Sequence, residues 1–128
     1  LNNINPECNI DAVPSRLELK NINKYLNNSS LVIDATDNWE SMTLINEYCV
    51  NRSIPLISSS AVGFDSQIIL FNNAPGKHLC LHCVFPNEEE VDLARCETVG
   101  VLGTAAGIAG LIAAQKTINY FSILLSNK

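Results

Sequence analysis

Three groups of residues in this 128-residue sequence have the types and spacing to do chemistry. The first is a pair of carboxylates, Asp34 and Asp37, at the end of the apolar run Leu31-Val32-Ile33 and just beyond it. Ligands in open α/β sheets bind outside the carboxyl ends of the strands. A carboxylate there can hold Mg²⁺ against a nucleotide phosphate. Asp37 also stands where a helix N-cap belongs, with Glu40 three residues on in the pattern of a capping box. One oxygen can cap while the other faces a ligand, so the two roles are compatible.

The second group is Cys80-Leu-His-Cys83, which has zinc-knuckle spacing. A structural zinc takes four ligands, and there is no second C-x-x-C. His78 and His82 are further candidates, though His82 lies between the cysteines and must point away to leave them free. A redox pair is the other reading. Redox C-x-x-C motifs open a helix, whereas Val84-Phe85-Pro86 does not read as one. The third group is Cys96, which precedes a long apolar stretch and follows Arg95. A helix N-terminus and a guanidinium both favour a thiolate nucleophile. Glu97 opposes it, and a small apolar filler is the plainer alternative. Cys8 and Cys49 read as packing residues.

The elements that must position these groups are legible in outline. Cys8–Leu19 reads as a short edge-like strand interrupted by Pro14, and Glu18–Asn27 as a weak helix. Leu31–Ala35 reads as a parallel strand covered on both faces. Trp39, Met42, Ile45 and Cys49 recur at helical spacing. Ile54–Ser59 and Gln67–Phe71 are strands, with Gly63 marking the turn between them. That connection is too short for a crossover helix, so the sheet turns antiparallel there. Asn72–Lys77 and the acidic Pro86–Asp92 are loops, and a long helix from about Glu97 closes the chain. The fold class is α/β, a Rossmann-like mixed sheet of parallel strands continuing into antiparallel ones, with flanking helices.

Composition narrows the function classes. Eight Lys and Arg against thirteen Asp and Glu leave a formal charge of −5. Phosphate neutralisation needs clustered basic residues, so no nucleic-acid partner is expected. The length supports one core and not two full domains. An odd cysteine count with a C-x-x-C indicates a reducing compartment, and the cytoplasm is the expected location. Thr98–Ala114 is uncharged and almost all small or apolar. It falls just short of the ~20 residues of a bilayer-spanning helix and lacks flanking positive charge, so it reads as a core helix and no membrane is expected. Sixteen asparagines and thirteen isoleucines carry no functional reading.

Taken together, these motifs resemble the ThiF/MoeB/HesA adenylyltransferases, relatives of ubiquitin-activating enzymes. Asp34-Ala35-Thr36-Asp37-Asn38 is similar to their D-x-T-D-N segment. Ser60-Ala61-Val62-Gly63-Phe64 and Gln67 resemble the strand pair that follows. Cys80-x-x-Cys83-x-Phe85-Pro86 resembles the zinc half-site, and Cys96-Glu97-Thr98-Val99-Gly100-Val101-Leu102-Gly103 the C-x-x-x-G-V-x-G helix start. The similarity runs in order from about Leu1 to Phe121. The Ser60–Phe64 wording is closer to the thiamine branch than to the molybdopterin branch.

The resemblance implies ATP-dependent adenylation of the C-terminus of a ubiquitin-like sulfur-carrier protein. Asp37 would hold Mg²⁺ and Asn38 would contact the nucleotide. Cys80 and Cys83 would ligate Zn²⁺. Cys96 would join the carrier during sulfur transfer, as in ThiF-like enzymes, or be dispensable, as in MoeB-like ones. A homodimer and a sulfur-donor enzyme are the further implied partners. The glycine-rich ATP loop of such enzymes would lie upstream of Leu1 and the second zinc pair beyond Lys128. Residues 1–128 are therefore expected to be the C-terminal part of an adenylation domain, inactive alone. Met42 stands where these enzymes usually carry arginine. A non-catalytic, zinc-stabilised carrier-binding module and a tRNA-modifying relative are the alternatives.

Overall fold

A computed structural model describes residues 3–76, 79–86 and 100–126. Its elements, in chain order, are helix α1 (Ile22–Leu26), strand β1 (Val32–Asp34), helix α2 (Trp39–Arg52), strands β2 (Leu56–Val62) and β3 (Asp65–Phe71), the single turn α3 (Leu81–Val84) and helix α4 (Gly103–Ser126). The three strands form one sheet in the order β1-β2-β3. β1 runs parallel to β2, with Ile33 opposite Ile57. β2 and β3 are antiparallel, from Leu56 opposite Phe71 to Val62 opposite Asp65. This is the mixed, Rossmann-like α/β sheet that the strand spacing predicts.

Apolar periodicity explains what the sheet packs against. Met42, Ile45 and Cys49 lie on one face of α2 and are buried with Val32, Ile54, Leu56, Phe71 and Leu81. Trp39 and Tyr48 pack at the margin of this cluster. α2 ends where Ser53 takes a left-handed conformation, φ 54°, and its N–H turns back to the Cys49 and Val50 carbonyls. The short α1 is tied to α2 through Asn23, whose Oδ1 accepts from the Tyr48 hydroxyl and the Arg52 guanidinium, each at 2.9 Å.

α4 crosses the other side of the hairpin. Ala105, Ala109 and Ala113, at steps of four, are its buried residues, and the Ser66 hydroxyl donates to the Ala105 carbonyl at 2.8 Å. Small side chains on this stripe let the helix approach β2 and β3 closely. The remaining faces are exposed and carry many apolar side chains, with Leu111 74% and Leu125 72% accessible. α4 is long and apolar enough to span a bilayer by length and composition; its alanine stripe and the Ser66 bond dock it on the sheet.

Several expectations need correction. The Cys8–Leu19 segment forms no strand: it is irregular and largely exposed, and pairs with none of the three strands among the described residues, and Cys8 is exposed rather than packed. β1 is buried on one face only, since Ile33 is 48% exposed. The last helix begins at Gly103, not near Glu97. Gly100–Leu102 is drawn into a bridge with the hairpin turn: the Gly63 N–H donates to the Gly100 carbonyl at 3.0 Å, and the Leu102 N–H to the Gly63 carbonyl at 2.8 Å. Both glycines take positive φ, 58° and 74°, a conformation that costs a residue bearing a Cβ.

Candidate functional site

The C-terminal end of β1 leads directly into a cavity. Asp34 closes the strand; it is buried, and its Oδ1 accepts from the Thr36 amide at 2.9 Å and the Thr36 hydroxyl at 2.7 Å. The chain then turns into α2. The helix cap is Asn38, not Asp37: Asn38 Oδ1 accepts the Ser41 N–H at 2.9 Å from an extended backbone, φ −132° and ψ 140°. Asparagine and aspartate cap almost equally well, so sequence alone does not decide between adjacent Asp and Asn. With the cap supplied by its neighbour, the Asp37 carboxylate has no hydrogen bond or ion pair among the described residues.

Asp37 lines a cavity of about 360 Å³ between the β1 end, β2 and α4. Ala35 and Thr36 share its rim, Ser59–Val62 form one wall, and Ala106, Ala109 and Gly110 of α4 the opposite one. Met42, 5% exposed, lines it from α2. Sequence reasoning identified the rim. The far wall it left unassigned: the small residues of α4 were the available signal, but they read only as the packing stripe of a core helix.

The two cysteines are brought together. Cys80 is the N-cap of α3 and Cys83 lies on the turn itself, against the expectation that no helix opens there. Their sulfurs are 3.3 Å apart. Two thiolates on a tetrahedral zinc with bonds of ~2.3 Å stand roughly 3.8 Å apart, so a small side-chain rotation fits the pair to the ion. Hydrogen bonding from the Cys80 backbone and side chain holds the Cys83 thiol below its ordinary range. The pair remains half a site: among the described residues no three His, Cys, Asp or Glu side chains converge. His82 Nε2 lies 4.0 Å from Glu47 Oε1 on α2.

The turn carrying the cysteines is anchored by a residue the sequence did not single out. Asn46 of α2, 1% exposed, accepts the buried Leu81 N–H through Oδ1 at 3.0 Å. Trp39 meets Phe85 edge to face, with centroids 6.1 Å apart. A polar residue beside the apolar stripe of α2 gives no sign of its partner 35 residues away. Cys49 is fully buried. Burial, and secondarily the Asp34 charge, pushes its thiol up to about 12, which removes it as a nucleophile. Cys96, His78, Arg95 and Glu97 lie outside the described residues.

A D-x-T-D-N turn at a strand end, a cysteine pair on the following turn and a small-residue helix across the sheet occur here in one fold. The ThiF family pattern matches residues 1–126. This chain belongs to the ThiF family. It is 32% identical over 122 residues to the sulfur carrier protein ThiS adenylyltransferase of Escherichia coli (strain K12), covering 95% of this chain and 48% of that protein. It is equally similar, 32% over 122 residues, to the adenylyltransferase and sulfurtransferase MOCS3 of Arabidopsis thaliana, covering 94% of this chain and 26% of that protein. With the SAMP-activating enzyme E1 of Haloferax volcanii it shares 31% identity over 117 residues, covering 90% of this chain and 42% of that protein. The chain thus spans at most about half the length of these ThiF-family relatives.

Proposed function

We propose that this ThiF-family chain supplies the carrier-facing part of a site that adenylates the C-terminus of a ubiquitin-like sulfur-carrier protein. The observation that carries the reading is the Asp37 carboxylate, relieved of capping by Asn38 and lining the cavity at the end of a parallel strand. An oxygen of the carrier's terminal carboxylate attacks the α-phosphorus of ATP. The bond to the β-phosphate oxygen breaks, giving the acyl-adenylate and pyrophosphate. Bound Mg²⁺ would neutralise charge on the phosphates. Asp37 would ligate it, and Asn38 would hold the adjoining backbone toward the nucleotide. The small residues of α4 leave room along Ser59–Val62 for an extended peptide end. The chain spans at most about half the length of the ThiF-family relatives it matches, so the activity is proposed for the full-length protein.

Cys80 and Cys83 would hold a structural Zn²⁺ as two of its four ligands. Cys96 is the thiol that takes up the carrier in the later sulfur-transfer step. A cytoplasmic homodimer served by a sulfur-donor enzyme completes the proposal, with the thiamine branch favoured by Ser60–Phe64. The test is carrier-dependent exchange of labelled pyrophosphate into ATP by the full-length protein with Mg²⁺. Exchange that requires the carrier's terminal carboxylate supports the reading.

One observation favours a second reading. Met42 puts an apolar wall where the resemblance has arginine, which fits a non-catalytic module that binds the carrier and turns over no ATP. Carrier binding without exchange would select it.

A further inference from the structure

Asp34 is 3% exposed and is not among the residues lining the cavity. Burying a carboxylate is costly unless hydrogen bonds satisfy it, and both bonds it accepts come from one residue, Thr36. Its charge also reaches the buried Cys49 thiol of α2. Asp34, the last residue of β1, is therefore buried beside the cavity and is not part of its lining. The consequence falls on the next residues. Thr36 is tied back to β1 by Asp34, and Asn38 is tied forward to α2 by Ser41. Asp37 is the single residue between these two fixed points, and its carboxylate has no partner of its own among the described residues.

We infer that Asp34 is a positioning residue: by holding Thr36 in a tight turn through Oδ1, it fixes the Asp37 carboxylate at the rim of the cavity and sets how tightly that carboxylate holds Mg²⁺. The inference rests on the nucleotide-site reading above. Groups that orient a metal ligand without touching the metal change affinity by roughly 10–100-fold when removed. Asparagine at position 34 keeps an Oδ1 acceptor and closes the same turn; alanine does not.

The experiment is binding of Mn²⁺, a paramagnetic stand-in for Mg²⁺, to the ATP-loaded full-length protein by electron paramagnetic resonance, beside carrier-dependent pyrophosphate exchange titrated with Mg²⁺ at fixed ATP, for Asp34→Asn, Asp34→Ala and Thr36→Val, with the metal midpoint read from both. Asp34→Asn keeps a Mg²⁺ midpoint near that of the wild type. Asp34→Ala raises it by roughly tenfold or more, and Thr36→Val, which removes only the hydroxyl donor, moves it in the same direction. A wild-type midpoint in Asp34→Ala overturns the inference. So does an Asp34→Asn as impaired as Asp34→Ala, which would make the charge rather than the acceptor the requirement. If Asp34→Ala does not fold, Thr36→Val decides on the same titration, and an unmoved midpoint overturns the inference. A wild-type protein without exchange refutes the nucleotide-site reading and this inference with it; wild-type exchange with unmoved variants refutes the inference alone.

Discussion

Asn38 Oδ1 accepts the Ser41 N–H at 2.9 Å, and this bond divides the work of two adjacent polar residues. The amide starts α2, and the carboxylate before it is left to the cavity. Stability and activity are therefore separable at this turn. Asp37→Ala should change folding stability by no more than about 0.5 kcal/mol, as for a surface substitution away from caps and core. Asn38→Ala should cost about 1 kcal/mol through loss of the cap. Urea unfolding of the two variants beside the wild type checks the order.

Asn46 and Leu81 make the corresponding link under the cysteine pair. Asn46→Leu would leave the buried Leu81 N–H without an acceptor, at a cost of about 1–3 kcal/mol. Equal unfolding midpoints for Asn46→Leu and the wild type would show that this bond does not stabilise the turn.

Cys49 sets a pH dependence. Its folded pKa of about 12 lies above the ordinary thiol value, so the neutral thiol is the form compatible with the fold. Below the unfolded-state pKa the effect is fully favourable. As pH rises from about 9 toward 12 the unfolded chain releases a proton that the folded chain keeps, and stability falls. The denaturation midpoint of the wild type should therefore drop across that range, and Cys49→Ala should flatten the drop while lowering the midpoint overall. A slope unchanged by Cys49→Ala would assign the loss to other groups.

Gly100 is held at φ 74°, and a Cβ at this position would meet no other atom within 4 Å. Gly100→Ala should cost about 1–2 kcal/mol from backbone conformation alone, with no added steric loss for serine over alanine. Thermal unfolding of the two variants tests this; a much larger loss for serine would indicate crowding at the bridge to Gly63.

The main elements were legible because their signals are local. The Trp39–Cys49 spacing marks α2, and the short Ile54–Ser59 to Gln67–Phe71 connection forces an antiparallel pair. The failures share another cause. The start of α4 is set by Gly63, far earlier in the chain, whose hydrogen bonds hold Gly100–Leu102 in a bridge beside the hairpin turn. The helix at Cys80–Cys83 depends on Asn46 accepting an amide from a distant part of the sequence. At the site, D-x-T-D-N pointed to the rim of the cavity, but Asp and Asn cap almost equally well, so the sequence does not say which of Asp37 and Asn38 starts α2.

In the proposed site Asp37 serves the nucleotide and not the helix. Asp37→Asn in the full-length protein tests it most directly, since Asn38 keeps the cap and only the charge is lost. Carrier-dependent, Mg²⁺-dependent pyrophosphate exchange should fall by roughly 10²-fold or more, as expected when a group stabilising transferring phosphate charge is removed, while the unfolding midpoint stays that of the wild type. Exchange retained near the wild-type rate would contradict the account.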